Sequence, residues 1–225
     1  MSTLYIIATP IGNLEDITLR ALRLFKEVDF ILCEDTRQTI KLLNHFQIRK
    51  SLISYHQHSK IQKINEIIDL LKQGKDIAMV SDAGTPAISD PGGVLVQEVI
   101  KQLGDNVKVI PIPGASALIT LASAAGLPVD KFQFLGFLPH KKGRQTLYQQ
   151  INDAKQTVIF YESPHRIIKT LTALAEILSP DRRLVVGREL TKKFETIYRG
   201  SAKEALEKLQ ADQIKGEFVI LVAGA

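Results

Sequence analysis

Residues 80–93 read Val80-Ser81-Asp82-Ala83-Gly84-Thr85-Pro86-Ala87-Ile88-Ser89-Asp90-Pro91-Gly92-Gly93, a loop of small residues between two ordered segments. The apolar run 77–80 enters it as a buried strand, and the run 94–100 leaves it with the character of a helix. Small residues let a ligand approach the backbone closely, and ligands of open α/β sheets bind beyond the carboxyl ends of strands. Because neither a GxGxxG nor a GxxxxGK(S/T) phosphate-binding motif is present, we expect a small ligand held largely by main-chain atoms.

Strand-like runs alternate with helical patterns along the first half of the chain. The predicted strands are 4–8, 30–33, 51–54, 77–80 and 107–110. A first helix is predicted from the stripe Leu19, Leu22 and Phe25, and a second over 36–45. A third helix is predicted behind the capping box Ser59–Gln62, from the stripe Ile61, Ile64, Ile68 and Leu71. A fourth helix is predicted to begin with Asp90 as N-cap and Pro91 at the first helical position. This alternation predicts a mostly parallel, doubly wound sheet with helices on both faces.

The segment Pro111-Ile112-Pro113-Gly114 is the predicted domain boundary, because two prolines and a glycine stop regular structure. It divides the chain into N-terminal and C-terminal α/β domains, 1–112 and 113–225. Beyond the boundary we predict helices over 115–125, along Ile167, Leu171, Leu174 and Leu178, and behind the capping box Ser201–Glu204, with strands at 132–137, 157–161, 184–187, 195–198 and 216–222. Three of these strands have little helix between them, which predicts a mixed sheet.

Composition and charge limit the class of protein. The 225 residues are 45% hydrophobic and 24% charged, as in ordinary globular proteins. The net charge of +5 favours an anionic partner such as nucleic acid, although solvated lysines explain a mild excess equally well. Cys33 is the only cysteine, and His45, His56 and His58 lack partners at metal-ligand spacing, so we expect neither a disulfide nor a metal site. No apolar run would span a bilayer and no signal-peptide pattern is present, so a cytoplasmic protein is expected.

Four loops of small residues follow apolar strands, at 8–14, 82–86, 113–117 and 160–166. For any one of them, the simpler explanation is that proline and glycine merely end a strand. Their occurrence at equivalent positions in both halves instead favours a ligand-binding cleft between the two domains.

Charged residues near these loops are candidates for chemistry. Glu34 and Asp35 end the second strand beside Arg37, where acids either cap the next helix or contact a substrate. The basic segments 140–144 and 165–166, together with Arg182, Arg183, Lys192 and Lys193, are either solvated charges or contacts for a phosphate backbone. Tyr55, Phe137 and Tyr148 are possible base-stacking aromatics, although no RNP motif is present.

Together these segments resemble the tetrapyrrole methylase-like superfamily of S-adenosylmethionine enzymes, and within it the enzymes that methylate ribose hydroxyls of small-subunit ribosomal RNA. The similarity runs over nearly the whole chain in one order. Its most specific segments are 8–16, 33–37, 81–92, 113–117, 160–166 and 216–219.

The resemblance implies two α/β domains with the methyl donor S-adenosyl-L-methionine in the cleft between them, and a homodimer. It also implies 2′-O-methylation of a cytidine ribose in the decoding region of 16S rRNA, within the small ribosomal subunit. The implied cofactor contacts, many through the main chain, are Pro10, Asp82, Ala83, Gly84, Ser116, Ala117, Glu162, Leu190 and Gly216. Longer relatives continue beyond the final strand with a small helical extension. This chain stops at Ala225, so we expect RNA to be gripped by basic loops or presented by the assembled subunit.

The ribose hydroxyl is a weak acid, so a proton acceptor assists its attack on the methyl group. Glu34 or Asp35 is the expected base or orienting residue. The expected contacts to RNA phosphates and neighbouring groups are Arg37, Lys142, Arg144, His165 and Arg166. Two alternatives stay open: a methyltransferase acting on a tetrapyrrole or another small anionic molecule, and a nucleotide-sensing or RNA-binding module without enzymatic activity.

Overall fold

The computed structural model describes residues 1–56, 61–212 and 214–225. The chain divides into two compact units, Met1–Ser116 and Ala117–Ala225, here called unit 1 and unit 2. The division falls a few residues after the predicted boundary. Each unit contains one five-stranded sheet with helices, which confirms the predicted class of two α/β domains.

Unit 1 is built from alternating strands and helices. Its strands are β1 (Ser2–Ile7), β2 (Phe30–Cys33), β3 (Ser51–Ser54), β4 (Ile77–Met79) and β5 (Val107–Ile112). Its α-helices are α1 (Leu19–Glu27), α2 (Thr36–His45), α3 (Ile61–Lys72) and α4 (Gly92–Leu103), and short 3-10 helices lie at Leu14–Asp16 and Gly104–Asn106. The strand order is β3-β2-β4-β1-β5 and every neighbouring pair is parallel.

The first sheet is covered on both faces, as its continuous apolar strands predict. One hydrophobic cluster joins Leu4 and Leu32 to α3 and α4, through residues such as Ile68 and Leu95. A second cluster joins the alternate residues of the strands, which face the other side of the sheet, to α1 and α2, and Phe25 is among its fully buried members. Because side chains alternate along a strand, consecutive residues enter opposite clusters.

One helix start and one helix face differ from the sequence predictions. The buried face of α1 is formed by Ala21, Leu24 and Phe25, whereas Leu19 is 86% exposed. The residue before α4 is Pro91, which makes no side-chain cap, so Asp90 is not the N-cap. The Asp90 carboxylate nevertheless accepts hydrogen bonds from the backbone N–H groups of Gly92 (2.9 Å) and Ala87 (2.8 Å). The capping box predicted at Ser59 lies outside the described residues.

Unit 2 has a mixed sheet, which agrees with the prediction. Its strands are β6 (Phe132–Phe137), β7 (Thr157–Glu162), β8 (Leu184–Arg188), β9 (Thr196–Gly200) and β10 (Phe218–Val222). Its helices are α5 (Ala117–Ala124), α6 (Arg144–Asp153), α7 (Ile167–Ile177) and α8 (Ala202–Gln210). The strand order is β6-β7-β10-β8-β9, in which β6 and β7 are parallel and the other pairs are antiparallel.

Packing in unit 2 follows the predicted stripes. The four residues of the stripe on α7 are all buried in one cluster with strand residues such as Phe160 and Val186. The capping box that begins α8 is complete, because Ser201 Oγ accepts from the Glu204 N–H while the Glu204 carboxylate accepts from the Ser201 N–H. None of the helices in the described part of the chain is both long and apolar enough to cross a membrane.

Candidate active site

Three of the four small-residue loops meet at one edge of the first sheet. The loops after β1 and β4 form a two-way backbone bridge, in which the Thr9 N–H donates to the Gly84 carbonyl (2.9 Å) and the Gly84 N–H donates to the Thr9 carbonyl (3.0 Å). The hydroxyl of Thr85 donates to the carbonyl of Ala115 in the loop after β5 (3.1 Å). The carboxyl ends of parallel strands share an edge, so this convergence follows from the topology.

Small residues are required where these loops cross. A Cβ atom added at Gly114 would lie 2.9 Å from the Ala8 Cβ, closer than packed carbon atoms approach. Gly84 has a positive φ of 79°, and its added Cβ would lie 3.2 Å from Ile11 Cγ2. The glycines therefore keep main-chain atoms of three loops close together, which is the arrangement expected for a ligand held by backbone groups.

Glu34 lies beside a small open pocket at this edge. The residues that line the pocket are Leu32, Cys33, Glu34, Tyr55, Met79, Val80, Asp90, Pro91 and Gly92. Burial raises the pKa of Glu34 to about 7, and the nearby carboxylates of Asp90 and Asp82 add to the rise. A carboxyl group with this pKa exchanges a proton near neutral pH, as a general base must.

Asp35, the next residue, is in a different environment. It is the N-cap of α2 and accepts a hydrogen bond from the Arg37 N–H (2.8 Å). Hydrogen bonds from the Arg37 guanidinium lower the pKa of Asp35 to about 2. The Asp35 N–H donates to the carboxylate of Asp82 (3.0 Å), which joins the loops after β2 and β4. Asp35 thus has a structural role, and its low pKa makes it a poor proton acceptor.

Glu162 is the centre of a buried ion cluster in unit 2. Its side chain is fully buried and its Oε2 accepts from Arg144 Nη2 (2.6 Å) and from the hydroxyl of Thr170 (2.7 Å). Its Oε1 lies 2.8 Å from Arg166 Nε. We call Glu162, Arg144 and Arg166 the buried triad. The carboxylate is occupied inside unit 2, so a contact from Glu162 to the cofactor would have to come from its main chain.

The burial of Arg144 argues against the phosphate contact predicted for it. Only 6% of the residue is exposed, and its guanidinium donates to Tyr148 Oη (2.6 Å), the Pro139 carbonyl (2.8 Å) and Glu162. Arg166 is partly occupied in the same way, since its side chain is 16% exposed and donates to the Leu138 carbonyl (3.0 Å). Of the other predicted substrate contacts, Arg37, Lys142 and His165 are exposed.

The predicted cofactor contacts Leu190 and Gly216 lie in two adjacent loops of unit 2. The Glu189 N–H donates to the Glu217 carbonyl (3.0 Å), and the Glu217 N–H donates back to Glu189 Oε1 (3.0 Å). Gly216 has a φ of 93°, and a Cβ there would collide with the Glu189 side chain. Both neighbours of Leu190 have positive φ, 49° at Glu189 and 65° at Thr191. Non-glycine residues in this region cost about 1–3 kcal/mol each and concentrate at functional sites.

Thr191 supplies an independent indication of a ligand at this point. Its hydroxyl oxygen is buried, and no hydrogen-bond partner for it exists among the residues that the structure describes. A buried hydroxyl without a partner is costly, and an incoming polar ligand would satisfy it. The strained backbone and the unpaired hydroxyl make the loop around Leu190 a candidate ligand contact.

The predicted contacts are thus divided between the units. Unit 1 contains Pro10, Asp82, Ala83, Gly84 and Ser116, and unit 2 contains Ala117, Glu162, Leu190 and Gly216. Sequence reasoning assigned Asp90 to a helix cap and Tyr55 to base stacking, and it did not place either residue beside Glu34. Tyr55 and Tyr148 are both buried, which argues against the stacking role predicted for them. Thr170, beside Glu162, was not singled out. Within residues 1–56, 61–212 and 214–225, no group of three or more His, Cys, Asp or Glu side chains is placed to hold a metal ion.

Comparison with known proteins shows which family this chain resembles. The family described as Tetrapyrrole (Corrin/Porphyrin) Methylases matches residues 3–206. A protein of Halalkalibacterium halodurans named Ribosomal RNA small subunit methyltransferase I is 52% identical over 99% of this chain and 76% of its own length. Relatives from other bacteria that carry the same name are 43–48% identical over 99–100% of this chain.

Solved structures share the fold at much lower identity. Diphthine synthase superposes with a TM-score of 0.75 at 14% identity, covering 99% of this chain and 90% of its own. Uroporphyrin-III C-methyl transferase from Thermus thermophilus, solved with S-adenosyl homocysteine, superposes with a TM-score of 0.64 at 17% identity, covering 98% of this chain and 97% of its own. Likeness at these identities shows the fold and does not show a substrate.

Proposed function

This chain belongs to the family of tetrapyrrole methylases and, within it, to the group named ribosomal RNA small subunit methyltransferase I, and from this we propose that it is an S-adenosylmethionine-dependent rRNA methyltransferase. The specific reaction we propose is 2′-O-methylation of a cytidine ribose in the decoding region of 16S rRNA. The resemblance inferred from the sequence is thereby confirmed at the level of family, whereas the target nucleotide remains a proposal.

The observation that supports the reaction most directly is Glu34, an acid with a pKa near neutrality that lines a pocket at the carboxyl ends of β2 and β4, close to Asp82 of the loop after β4. S-adenosylmethionine, when bound, supplies a methyl group on a positively charged sulfur. The protein's task is to hold the acceptor oxygen in line with this group and to accept its proton. We assign the proton acceptor to Glu34, because Asp35 is tied to Arg37 and ionised far below neutrality.

The reaction balances without a further reagent. S-adenosylmethionine, when bound, would supply the methyl group and leave as S-adenosylhomocysteine, and the carboxylate of Glu34 would accept the proton of the ribose hydroxyl. The residues proposed to hold the cofactor are the small-residue loops of unit 1 and the strained loop around Leu190 with Gly216 in unit 2. The unpartnered hydroxyl of Thr191 and the close loop crossing at Gly84 support this assignment.

Contacts to RNA are proposed for the exposed side chains of Arg37, Lys142 and His165, and for the remaining accessible part of Arg166. Arg144 is left out because its guanidinium is buried and fully engaged. We further propose that the protein acts in the cytoplasm, as a homodimer, on 16S rRNA within the small ribosomal subunit.

The second candidate is methylation of a tetrapyrrole or another small anionic molecule, which the family description favours. The experiment is transfer of a labelled methyl group to three acceptors: small ribosomal subunits, purified 16S rRNA and a uroporphyrinogen. Labelling of subunits or rRNA at one ribose, located by resistance of the adjacent phosphodiester to alkali, supports the proposal. Labelling of the tetrapyrrole alone would replace it with the second candidate, and cofactor binding without transfer to any acceptor would favour a non-enzymatic module.

A further inference from the structure

An aromatic cluster lies partly exposed at the edge of the second sheet. It consists of Phe134 and Phe137 on β6 and Tyr161 on the neighbouring β7. The ring centres of Phe134 and Tyr161 are 5.1 Å apart, and those of Phe137 and Tyr161 are 5.3 Å apart. Phe137 is 57% exposed although it is a large apolar side chain. An exposed aromatic ring in contact with a second ring presents apolar surface to a partner.

The backbone at the end of β6 determines the position of Phe137. The pairing of β6 with β7 shifts register between Phe134 and Phe137, and Gly136 has a φ of 62°. Irregularities of this kind redirect the side chain that follows. Because β6 is the first strand in the sheet order, Phe137 lies at an edge strand of unit 2.

The segments next to Phe137 carry only positive charge. Neither 131–152 nor 163–175 contains an aspartate or a glutamate. The exposed cationic or titratable residues of these segments near the sheet edge are His140, Lys141, Lys142, His165 and Lys169. Glu217, which acts electrostatically on Tyr161, is itself paired with Lys192 at 3.0 Å. The surface around the aromatic cluster is therefore electropositive, and it suits a polyanion.

The buried triad holds the loop that carries these charges. Arg166 donates to the carbonyl of Leu138 and Arg144 donates to the carbonyl of Pro139, so both arginines grip the start of residues 138–143, here called the basic loop. Because β6 and β7 are parallel, the basic loop and the loop containing His165 both lie at the carboxyl ends of these two strands. Fixing the loop before binding lowers the entropic cost of ordering it on a partner.

We propose that the aromatic cluster and the basic loop form a binding surface for single-stranded RNA, in which a base stacks on Phe137 and phosphates contact Lys141 and Lys142. The proposal rests on the proposed function for its class of partner and adds the residues that recognise it. Exposed aromatics interleaved with cations are the usual means of binding unpaired nucleotides. A second copy of this chain fits less well, since a two-fold contact centred here would bring lysines against lysines.

The stacking part is tested by fluorescence anisotropy with a labelled oligocytidine of about 12 nucleotides. Phe137→Ala should weaken binding about 10-fold, and Phe137→Trp should retain it, since stacking of one base is worth about 1–3 kcal/mol or about 5- to 150-fold. Phe194→Ala is the matched control, because Phe194 is 69% exposed beside Lys193 but lies outside the aromatic cluster. It should bind within about two-fold of the wild-type protein.

The electrostatic part is tested by the salt dependence of the same affinity. The double variant Lys141→Gln/Lys142→Gln should reduce the slope of log K against log salt by about 1.4, since each single-strand phosphate contact contributes about 0.7. Lys203→Gln/Lys208→Gln removes the same charge from exposed positions of α8 and should leave the slope unchanged.

Two results would overturn the inference. One is wild-type affinity and slope in the Phe137 and Lys141/Lys142 variants. The other is a change in molar mass by light scattering for Phe137→Ala, which would assign the surface to a second copy of the chain. Both measurements are made after methyl transfer to small subunits has been demonstrated with the wild-type protein. Absence of that transfer would instead contradict the proposed function, so the two failures are distinct.

Discussion

Glu34 and Asp35 are neighbours in sequence with opposite electrostatic environments. Glu34 is half-buried beside other carboxylates, which disfavour its charged form, and its pKa rises to about 7. Asp35 accepts hydrogen bonds from the guanidinium and backbone of Arg37, which favour its charged form, and its pKa falls to about 2. The sequence placed two acids at the end of a strand. Which of the two is the proton acceptor and which is the helix cap could be decided only from the fold, because Asp90 and Asp82, which act on Glu34, come from a loop distant in sequence.

Glu34→Gln should lower the rate of methyl transfer by about 10²- to 10⁴-fold, the usual contribution of a general base. Asp35→Asn is the matched control, since asparagine caps helices as well as aspartate does, and it should stay within about five-fold of wild type. The measurement is single-turnover transfer of labelled methyl to small ribosomal subunits. Equal rates for wild type and Glu34→Gln would remove Glu34 from the mechanism.

The same pKa predicts how the wild-type rate depends on pH. A base is active when ionised, so the single-turnover rate should rise with pH and level off above about 7. If Asp35 were the base, its low pKa would place this rise in rate near pH 2 instead. A rate that is flat between about pH 5.5 and 8 would contradict the assignment of Glu34.

Stability should change with pH in the opposite direction. The folded protein keeps a proton on Glu34 up to about pH 7, whereas the unfolded chain releases it near the ordinary value of 4.5. The free energy of unfolding contributed by this group therefore falls as pH rises through that window. Glu34→Gln removes the unfavourable contribution of the buried, charged carboxylate, so the Tm of this variant should exceed that of wild type at pH 8 and match it at pH 4. A Tm below wild type at pH 8 would show that the carboxylate stabilises the fold.

At the scale of elements, the buried triad connects α6, β7 and α7 of unit 2. Arg144 begins α6, Glu162 ends β7, Arg166 precedes α7, and Thr170 lies within α7. The sequence showed these arginines as parts of basic segments, which ordinarily face solvent. It could not show that both point at one carboxylate, because the pairing of Arg144 with Glu162 spans 18 residues and depends on how α6 packs.

Removing the charge of Glu162 should therefore destabilise the protein strongly. Glu162→Gln leaves two arginines without a counter-ion in or near the interior, and breaking a buried pair costs about 3–5 kcal/mol. Glu217→Gln is the comparison, since it removes an acid that is 77% exposed and should cost less than about 1 kcal/mol. Chemical denaturation followed by circular dichroism measures both. Similar losses for the two variants would contradict the role assigned to the triad.

At the scale of the whole molecule, the proposed cofactor contacts come from both units. S-adenosylmethionine at about 100 times its Kd should stabilise the wild-type protein by about 2.7 kcal/mol, or about 5–10 °C in Tm for a chain of this length. Ala83→Leu in unit 1 and Gly216→Val in unit 2 should each reduce that increase. Ala211→Leu, an exposed change at the end of α8, should not. A full increase in either of the first two variants would remove that loop from the cofactor site.

Much of the architecture was accessible from the sequence, because hydrophobic periodicity is a local property. The strands at 30–33 and 51–54 and the helix at 36–45 agree with the structure residue for residue. Errors occurred where apolar residues did not face the core. Leu19 fits a helical stripe by spacing alone, yet it is exposed, because the side chains that reach the sheet are Ala21, Leu24 and Phe25.

The sequence by itself therefore determined the two α/β domains, the family and the order of most elements, since these depend on local patterns and on motifs that occur in a particular order. Helix α6 was not predicted, because Arg144 was assigned to a basic segment and no helical pattern was recognised in the residues that follow it. Only the tertiary structure decided which charged groups are buried, which loops touch and which acid has a pKa near neutrality. Those properties depend on groups such as Asp90 beside Glu34 and Glu162 beside Arg144. Desolvation and close charge pairing act across space, and spacing along the chain carries no record of them.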